Sequence, residues 1–398
     1  MLSLSMVVRD EAGRIGPCLA SVQDFVDEMV VLDTGSADDT AAIAERCGAR
    51  VHHCPWPGDF APARNRALEL VRGDWVLVLD ADEQLLPAAR EPLRRLMGDP
   101  DLLLITLLRH ERGALQSPYS SVSRLFRRLE GIRWSGSYHA MVDASVSGLM
   151  EREPHWRVGH CPVPALDHGG YRPELLAGSD KARRLRAAME AERASRPHDP
   201  YLCAKLGALE VSEGRQQQGL RLLRLGLRHC PATAHPERYE LLLHLAIAQG
   251  QANPQAAADL YRQALALPLD GRLTLAARLN LAALLMDGGA LDEAESLCEQ
   301  ATAQAPEVGL GWYNLGLVRR RRGRLPAAIG AYRQAIALVP DHAEAHQNLA
   351  AALLLAGDIG GARSGFRRAI SLMAQQGRHG EARRLEERAG AMVNLETP

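Results

Sequence analysis

The sequence predicts two units, an α/β domain with a mostly parallel, Rossmann-like sheet followed by an all-α repeat solenoid. Two observations lead to this fold class. Over residues 1–79, apolar runs of strand length alternate with helical patterns, which is typical of a parallel sheet covered by helices on both faces. Further along, leucines recur at an interval of 34 residues, at Leu281, Leu315 and Leu349, which indicates stacked copies of one helical unit.

Four strands and three helices are predicted in the α/β unit. The strands are residues 2–8, 29–32, 49–53 and 75–79, and the helices are residues 14–25, 38–47 and 62–71. No Gly-x-Gly-x-x-Gly loop follows the first strand, and the chain has no Walker-type lysine motif. These two absences argue against a dinucleotide oxidoreductase and a P-loop nucleotidase.

Composition and charge fit a globular protein with two different units. The chain has 398 residues, of which 46% are hydrophobic and 24% charged. Its 47 basic and 48 acidic residues give a net charge of -1, so we expect no nucleic-acid partner. Residues 1–170 hold 18 basic and 24 acidic side chains and the remainder holds 29 and 24, which suggests units with separate tasks.

The cysteines and the apolar runs predict a cytoplasmic location. The chain has seven cysteines and no Cys-x-x-Cys pair, which argues against a disulfide framework and against a structural zinc site. The first residues lack the basic leader and apolar core of a signal peptide. No apolar run reaches the roughly 18 residues of a transmembrane helix, so we expect no transmembrane segment.

Polar side chains follow the predicted strands and mark one edge of the sheet as the candidate site. Asp80 and Asp82 lie two positions apart after the fourth strand, so their carboxylates share a face and suit a hard cation that also holds diphosphate oxygens. Asp33 ends the second strand, where it can accept the imide N–H of uracil or a similar base edge. Arg9 and Glu11 follow the first strand and line the predicted nucleoside pocket.

Arg64 is the predicted diphosphate ligand. It lies near the start of the helix that follows Asp59 and Phe60, where a guanidinium and the helix N-terminus both favour an anion. The structural alternative is an ion pair between Arg64 and either Asp33 or Asp59.

Four ordered blocks resemble the family-2 glycosyltransferases of the GT-A fold. They are Met6–Glu11 (MVVRDE), Val30–Thr40 (VVLDTGSADDT), Asp59–Asn65 (DFAPARN) and Trp75–Glu83 (WVLVLDADE). The resemblance implies inverting transfer of a hexosyl group from a nucleoside diphosphate sugar, with UDP as the expected nucleotide and Mn²⁺ or Mg²⁺ as cofactor. It also implies that Asp80 contributes to donor binding. The family carries Lys and Asn at the positions of Arg9 and Asp10, and this difference leaves the identity of the nucleotide base open.

A later segment is similar to the subgroup that carries tetratricopeptide repeats after its catalytic domain. Its blocks are Ser123–Arg127 (SRLFR), Gly136–His139 (GSYH) and Asp167–Tyr171 (DHGGY). The resemblance implies that His168 completes the metal shell with Asp80 and Asp82. In the subgroup a Glu follows the histidine of the second block, whereas this chain has Ala140.

The identity of the catalytic base is therefore open. The candidates are His139 and Asp143, and the alternative is an acceptor thiol that loses its proton easily without a strong base. Ala140 also keeps a second reading open, in which the domain binds a nucleotide sugar without transferring it and the repeats mediate protein interactions. A nucleotidyltransferase is a third reading, but it would normally begin with a Gly-rich loop that this chain lacks.

One repeat resembles the tetratricopeptide pattern at nearly every signature position. The matching residues are Trp312, Leu315, Gly316, Ala328, Tyr332, Ala335 and Pro340. We expect a glycosyltransferase domain over residues 1–172, a connecting helix over 173–199 and about five repeats with a capping helix over 200–396. The array predicts a groove for a peptide, protein or glycan acceptor, and a plain helical spacer is the alternative. The Arg319–Arg322 run is interpreted as a solvated helix end.

Overall fold

Contacts within the chain divide it into two units, Met1–Pro197 and His198–Pro398. The structure is a computed structural model that describes residues 1–114, 118–136, 140–169 and 179–395, with the backbone alone for 179–185. The start of the predicted connecting helix, residues 173–178, lies outside the described residues. Among the described helices, none combines the length and the apolar character needed to cross a bilayer.

The N-terminal unit is built on a mixed sheet. Its described strands are β1 (Leu2–Val8), β2 (Glu28–Asp33), β3 (Arg50–His53), β4 (Trp75–Val78), β5 (Glu83–Leu85), β6 (Leu102–Glu111), β7 (Tyr119–Arg127) and β8 (Arg157–His168). They form an eight-stranded sheet in the order β3-β2-β1-β4-β7-β6-β8-β5. The four predicted strands pair in parallel, as do β6 and β8. Strand β7 is antiparallel to β4 and β6, and β5 is antiparallel to β8.

Helices cover both faces of this sheet. The described helices of the unit are α1 (Ile15–Val22), α2 (Thr40–Arg46), α3 (Phe60–Leu70), α4 (Arg90–Met97), α5 (Asp143–Arg152) and α6 (Ser179–Ser195). Strand β4 shows how the faces are filled, because Leu77 packs into a core with α1 and α4 whereas Val76 and Val78 pack into another with α3 and α5. Alternate residues of a strand point to opposite faces, so one short apolar run serves both cores. The predicted α/β unit is confirmed.

The C-terminal unit is a run of antiparallel helix pairs. Its described helices are α7 (Pro200–Ser212), α8 (Gln216–His229), α9 (His235–Gln249), α10 (Pro254–Leu265), α11 (Leu275–Asp287), α12 (Leu291–Gln304), α13 (Gly309–Arg321), α14 (Leu325–Leu338), α15 (Ala343–Leu355), α16 (Ile359–Gln375) and α17 (His379–Gly390). They form five pairs followed by one further helix, α17. The all-α solenoid predicted from the 34-residue interval is confirmed.

Close approach of the paired helices depends on small residues. A Cβ atom on Gly316 would lie 2.5 Å from the ring of Tyr332, which is fully buried between helices α13 and α14. Ala328 and Ala335 on the same helix as Tyr332 are also fully buried. The signature positions of the repeat are therefore packing positions, where small residues let the backbones meet and the tyrosine fills the remaining space.

The arginine run at the end of α13 pairs with the preceding helix. Glu295 on α12 is 4% exposed and accepts from Arg319 at 3.1 Å, from Arg322 at 2.8 Å and from Arg324 at 3.0 Å. The interpretation of Arg319–Arg322 as a solvated helix end is therefore wrong for Arg319 and Arg322. Stacking of successive repeats brings a buried acid against them, and a buried carboxylate needs such partners.

Candidate active site

Asp80 lies just beyond β4 and holds two arginine side chains. Its Oδ1 accepts from Arg64 at 2.8 Å and its Oδ2 accepts from Arg124 at 2.6 Å. The two arginine side chains are 11% and 12% exposed. Burial acts to raise the pKa of Asp80, but Arg124 and Arg64 outweigh it and hold that pKa well below its usual range. Asp80 is thus an ionised anchor for two cations at the carboxyl edge of the sheet.

A β-bulge brings Arg124 to this position. Ile105 of β6 pairs with Leu125 of β7, and the next residue, Thr106, pairs with Ser123. Arg124 is therefore the extra residue of the bulge. A bulge redirects a side chain relative to the regular alternation of the strand, and here it turns a buried arginine towards Asp80.

Helix α3 positions Arg64 one turn after its start. The side chain of Asp59 accepts from the backbone N–H of Ala61 at 3.0 Å, which caps the helix. The guanidinium of Arg64 also lies 4.6 Å from the ring centre of Trp134. Burial and the nearby charge of Arg124 lower the pKa of Arg64 to about 10. Arg64 therefore pairs with Asp80 in the structure, rather than with Asp59 or Asp33 as the structural alternative predicted.

Asp80 with Arg64 and Arg124, which we name the clamp, belongs to a continuous series of side chains with alternating charge, which we name the charge chain. Its contacts are Glu11–Arg14 (2.6 Å), Arg14–Asp82 (3.7 Å), Asp82–His168 (3.4 Å), His168–Glu111 (2.5 Å), Glu111–Arg109 (2.8 Å), Arg109–Glu83 (2.6 Å), Glu83–Arg124 (4.0 Å), Arg124–Asp80 (2.6 Å) and Asp80–Arg64 (2.8 Å). Acids and cations alternate along the series, so each buried charge has an opposite neighbour. This arrangement makes so many partly buried charges tolerable.

His168 connects two parts of the charge chain, because each of its ring nitrogens faces a carboxylate. Its Nδ1 lies 2.5 Å from Glu111, which is 4% exposed, and its Nε2 lies 3.4 Å from Asp82. Burial acts to lower the pKa of His168, but hydrogen bonds to Asp82 and Glu111 raise it to about 9. The register explains the placement, because β8 sets His168 opposite Glu83 on one side and Glu111 on the other.

This arrangement suits a cation shared with a substrate. Both ring nitrogens of His168 face carboxylates, and a cation bound between Asp82 and Nε2 would replace the proton on that nitrogen while Glu111 holds Nδ1. Within the described ranges, no group of three or more His, Cys, Asp or Glu side chains is placed to hold a metal by itself. Mg²⁺ normally takes only one or two protein carboxylates and completes its shell with phosphate oxygens and water. Asp82 and His168 therefore fit a cation that arrives with a diphosphate.

Asp33 presents a carboxylate oxygen without a partner at the end of β2. Its Oδ1 accepts from the backbone N–H groups of Gly35 at 2.7 Å and Ser36 at 2.8 Å, and Gly35 has a φ of +102° that permits the turn. The residue is 2% exposed, and within the described part of the chain its Oδ2 has no hydrogen-bond partner. Burial acts to raise the pKa of Asp33, but the bonds from Ser36 and Gly35 hold it below its usual range. Oδ2 is thus a buried acceptor that lacks a donor.

The loop after β1, which carries Arg9 and Glu11, is fastened to the loop after β2. Three consecutive backbone N–H groups donate to side chains there: Asp10 to Ser36 (3.0 Å), Glu11 to Thr40 (2.7 Å) and Ala12 to Asp38 (3.1 Å). Asp10 adopts a φ of +55°, which an Asp tolerates better than most residues. These amides are occupied and do not form a phosphate-binding loop. Arg9 is exposed, and Glu11 pairs with Arg14, so donor binding by these two residues stays a prediction.

Asp143 begins α5 beside the bulge. Its Oδ1 accepts from the hydroxyl of Ser123, the neighbour of Arg124, at 2.8 Å. Its Oδ2 is buried, and no described residue forms a hydrogen bond with it. His139, the other predicted base, lies outside the described residues. Ala140 packs against the apolar core on the α5 face of the sheet.

Comparison with known proteins identifies the family. The model for glycosyl transferase family 2 matches residues 3–159, and tetratricopeptide repeat models match residues 234–308 and 316–357. A TPR repeat-containing protein of Synechococcus elongatus is 44% identical over 98% of this chain and 97% of its own length. The chain belongs to the same family as the Synechococcus protein and combines an N-terminal glycosyl transferase family 2 domain with C-terminal tetratricopeptide repeats.

Other relatives match part of the chain. An uncharacterized glycosyltransferase of Rickettsia felis is 31% identical over 32% of this chain and 48% of its own. The glycosyltransferase SunS of Bacillus subtilis is 27% identical over 35% of this chain and 34% of its own. Among solved structures, MamA aligns with 44% of this chain and 97% of its own, at 21% identity and a TM-score of 0.38. These two glycosyltransferase relatives thus match about a third of this chain and less than half of their own length, whereas the Synechococcus protein matches nearly all of both.

Several charge-chain residues of this glycosyltransferase were missed in the sequence. Arg124 lies in a block that resembles the family, but only the bulge shows that its side chain reaches Asp80. Arg109 and Glu111 are two apart on one strand and so share a face, yet that signal appears only once the strand is known. Arg14 lies just before α1 and contacts Asp82 from there.

We expect Asp80→Asn to lower the free energy of unfolding of this glycosyltransferase by about 1–3 kcal/mol, because two buried guanidinium groups lose their carboxylate. The pKa of Asp80 is lower in the folded than in the unfolded state. The full difference in free energy of unfolding between wild type and Asp80→Asn should therefore appear above about pH 4, and it should become smaller as the pH falls further. Urea unfolding at several pH values measures the difference from wild type.

Glu69→Gln is the matched control. Glu69 pairs with Arg66 at 2.7 Å, but the two side chains are 54% and 61% exposed. The control variant should lose less than about 0.5 kcal/mol. An Asp80→Asn variant no less stable than this control would show that the clamp does not stabilise the domain.

Proposed function

We propose that the chain transfers a hexosyl group from a nucleoside diphosphate sugar to an acceptor, with inversion at the anomeric carbon. The observation that carries the proposal is the clamp of Arg64 and Arg124 on Asp80, linked through the charge chain to Asp82 and His168. It supplies two cations for diphosphate oxygens next to a pair of ligands for Mn²⁺ or Mg²⁺. When bound, such a cation neutralises charge that develops on the leaving diphosphate.

The roles of the two aspartates differ in this proposal. Asp80 has an arginine on each oxygen, so it holds Arg64 and Arg124 in position for the diphosphate. Asp82 and His168 serve as the protein ligands of the cation, and Glu111 keeps the ring of His168 in place from behind. In the alternative arrangement, which the sequence predicted, Asp80 coordinates the cation together with Asp82 and His168.

Asp33 selects the base. Its Oδ2 is a buried acceptor without a donor, and the imide N–H of uracil is a donor of the right kind. Satisfying such an acceptor is worth more than an ordinary hydrogen bond, because the unpaired group has already lost its water. We therefore propose UDP-sugar as the donor.

We expect Asp33→Asn to exchange the preferred base. The amide oxygen can still accept from Gly35 and Ser36, whereas an N–H donor replaces Oδ2. This donor opposes the imide N–H of uracil and suits the N3 acceptor of cytosine. The Kd for UDP should rise by about 10-fold or more, and the ratio of the UDP to the CDP affinity should fall. Calorimetric titration with each nucleotide measures both.

Asp39→Asn is the control for this exchange, because Asp39 is exposed in the same loop and makes no side-chain cap bond. It should keep the wild-type Kd values for UDP and CDP. If Asp33→Asn also has the same Kd for UDP and the same Kd for CDP as wild type, Asp33 does not recognise the base.

Asp143 takes the acceptor proton in the proposed transfer. The acceptor oxygen or sulfur attacks the anomeric carbon from the side opposite the diphosphate, and the bond from that carbon to the diphosphate oxygen breaks with its electron pair. The acceptor proton passes to the Asp143 carboxylate. Ser123 holds one oxygen of Asp143 at 2.8 Å and leaves the other without a partner, which supports this role.

Asp143→Asn should lower turnover by about 100-fold or more and leave the Kd for UDP near wild type, because the base acts on the acceptor alone. Glu151→Gln, an exposed change in the same helix, is the control and should keep wild-type turnover. Steady-state assays with donor and acceptor measure turnover. Unchanged turnover in Asp143→Asn would transfer the role to His139 or to a reactive acceptor.

The repeats recruit the acceptor in this proposal. Five stacked helix pairs form an extended surface, and such arrays usually bind a partner on that surface. Ala140 favours a second candidate function, a nucleotide-sugar-binding scaffold without transfer, because its side chain packs into the core where the subgroup has a Glu. Binding of UDP-sugar without product from any tested acceptor, in wild type and Ala140→Glu alike, would favour the scaffold.

A further inference from the structure

An aromatic pair lies on the segment between β3 and α3. The rings of Trp56 and Phe60 meet edge to face, with centroids 4.9 Å apart and an interplanar angle of 73°. Phe60 is 47% exposed, although it begins a helix whose other apolar residues are largely buried. Exposed aromatic rings of this size contribute strongly to binding when a flat partner covers them.

Contacts at both ends connect the segment that carries this pair to the end of β2 and to the Asp80 clamp. At one end, the N–H of Cys54 donates to the carbonyl of Asp33 at 2.9 Å, so Trp56 follows two residues after that contact. At the other end, Phe60 and Arg64 are four residues apart on α3 and share a helix face. Because Arg64 reaches Asp80, that face is turned towards the site.

The segment presents Trp56 in a restricted backbone conformation. Pro55 and Pro57 flank the tryptophan, and Gly58 follows with a φ of +89°. Each proline fixes its own φ and restricts the residue before it, so Trp56 has few conformations to lose when a ligand binds. Such preorganisation favours a recognition role over that of a loose connection.

We propose that Trp56, supported by Phe60, stacks on the face of the base of a nucleoside diphosphate while Asp33 accepts from its edge. The inference rests on the proposed function and extends it to a specificity-determining residue that the sequence blocks did not indicate. An independent observation supports this role, because no described residue donates a hydrogen bond to the buried Oδ2 of Asp33, so a ligand N–H could do so. The edge contact from Phe60 sets the tilt of the tryptophan ring.

Trp56→Ala in the full chain tests the stacking. Calorimetric titration with UDP and with inorganic pyrophosphate, both with Mn²⁺, separates the base from the diphosphate. We expect the Kd for UDP to rise by about 10-fold or more, as for loss of one aromatic–base stack, and the Kd for pyrophosphate to stay unchanged. Trp56→Phe should retain most of the UDP affinity, and it also tests the role if Trp56→Ala folds poorly.

Tryptophan fluorescence gives a second readout. The chain has five tryptophans, so Trp312→Phe in the repeats is a matched control. UDP should quench emission in wild type and in Trp312→Phe, and the quenching should be lost in Trp56→Phe.

Two outcomes would overturn the stacking role. They are an unchanged Kd for UDP in Trp56→Ala, and an equal rise in the Kd for UDP and for pyrophosphate. If the Kd for UDP is unchanged and the KM for the acceptor rises, the aromatic pair binds the acceptor instead. Failure of the wild-type protein to bind any nucleoside diphosphate would instead contradict the proposed function itself and remove the basis of the inference with it.

Discussion

Two buried arginines converge on the carboxylate of Asp80, and the carboxyl edge of the sheet is organised around that contact. Arg64 comes from helix α3 and Arg124 from the bulge in β7, so the clamp ties together elements from both sides of β4. Neither arginine could stay buried without an anion. The clamp therefore depends on three local features together, namely the bulge, the capped start of α3 and the end of β4.

The need of each buried charge for an opposite neighbour also applies to the rest of the charge chain along this edge. Glu83 is fully buried and accepts from Arg109, whose other partner, Glu111, holds His168. Removing one member would leave a neighbour buried without its opposite charge, so the residues depend on one another more than isolated ion pairs do. A divalent cation and an anionic diphosphate add opposite charges to this series, and they can join it at Asp82 and at the arginines without leaving one sign in excess.

The local pattern of the chain predicted the elements that are formed by neighbouring residues. The first four strands, the three helices among them and the repeat interval at Leu281, Leu315 and Leu349 all follow from periodicity, and all are confirmed. The position of Asp80 and Asp82 at the carboxyl edge followed from the strand before them. The side chains that meet them did not, because β6, β7 and β8 reach the edge through pairing between distant segments. The bulge at Arg124 and the pairing of Arg319 with Glu295 likewise exist only after strands pair or repeats stack.

Anomalous diffraction at the manganese edge, from crystals of the protein with Mn²⁺ and UDP, tests the central claim most directly. The account predicts one Mn²⁺ within coordination distance of Asp82 and the Nε2 of His168, with Glu111 still on Nδ1 and the diphosphate against Arg64 and Arg124. Mn²⁺ bound away from Asp82 and His168, or a diphosphate that avoids both arginines, would contradict it.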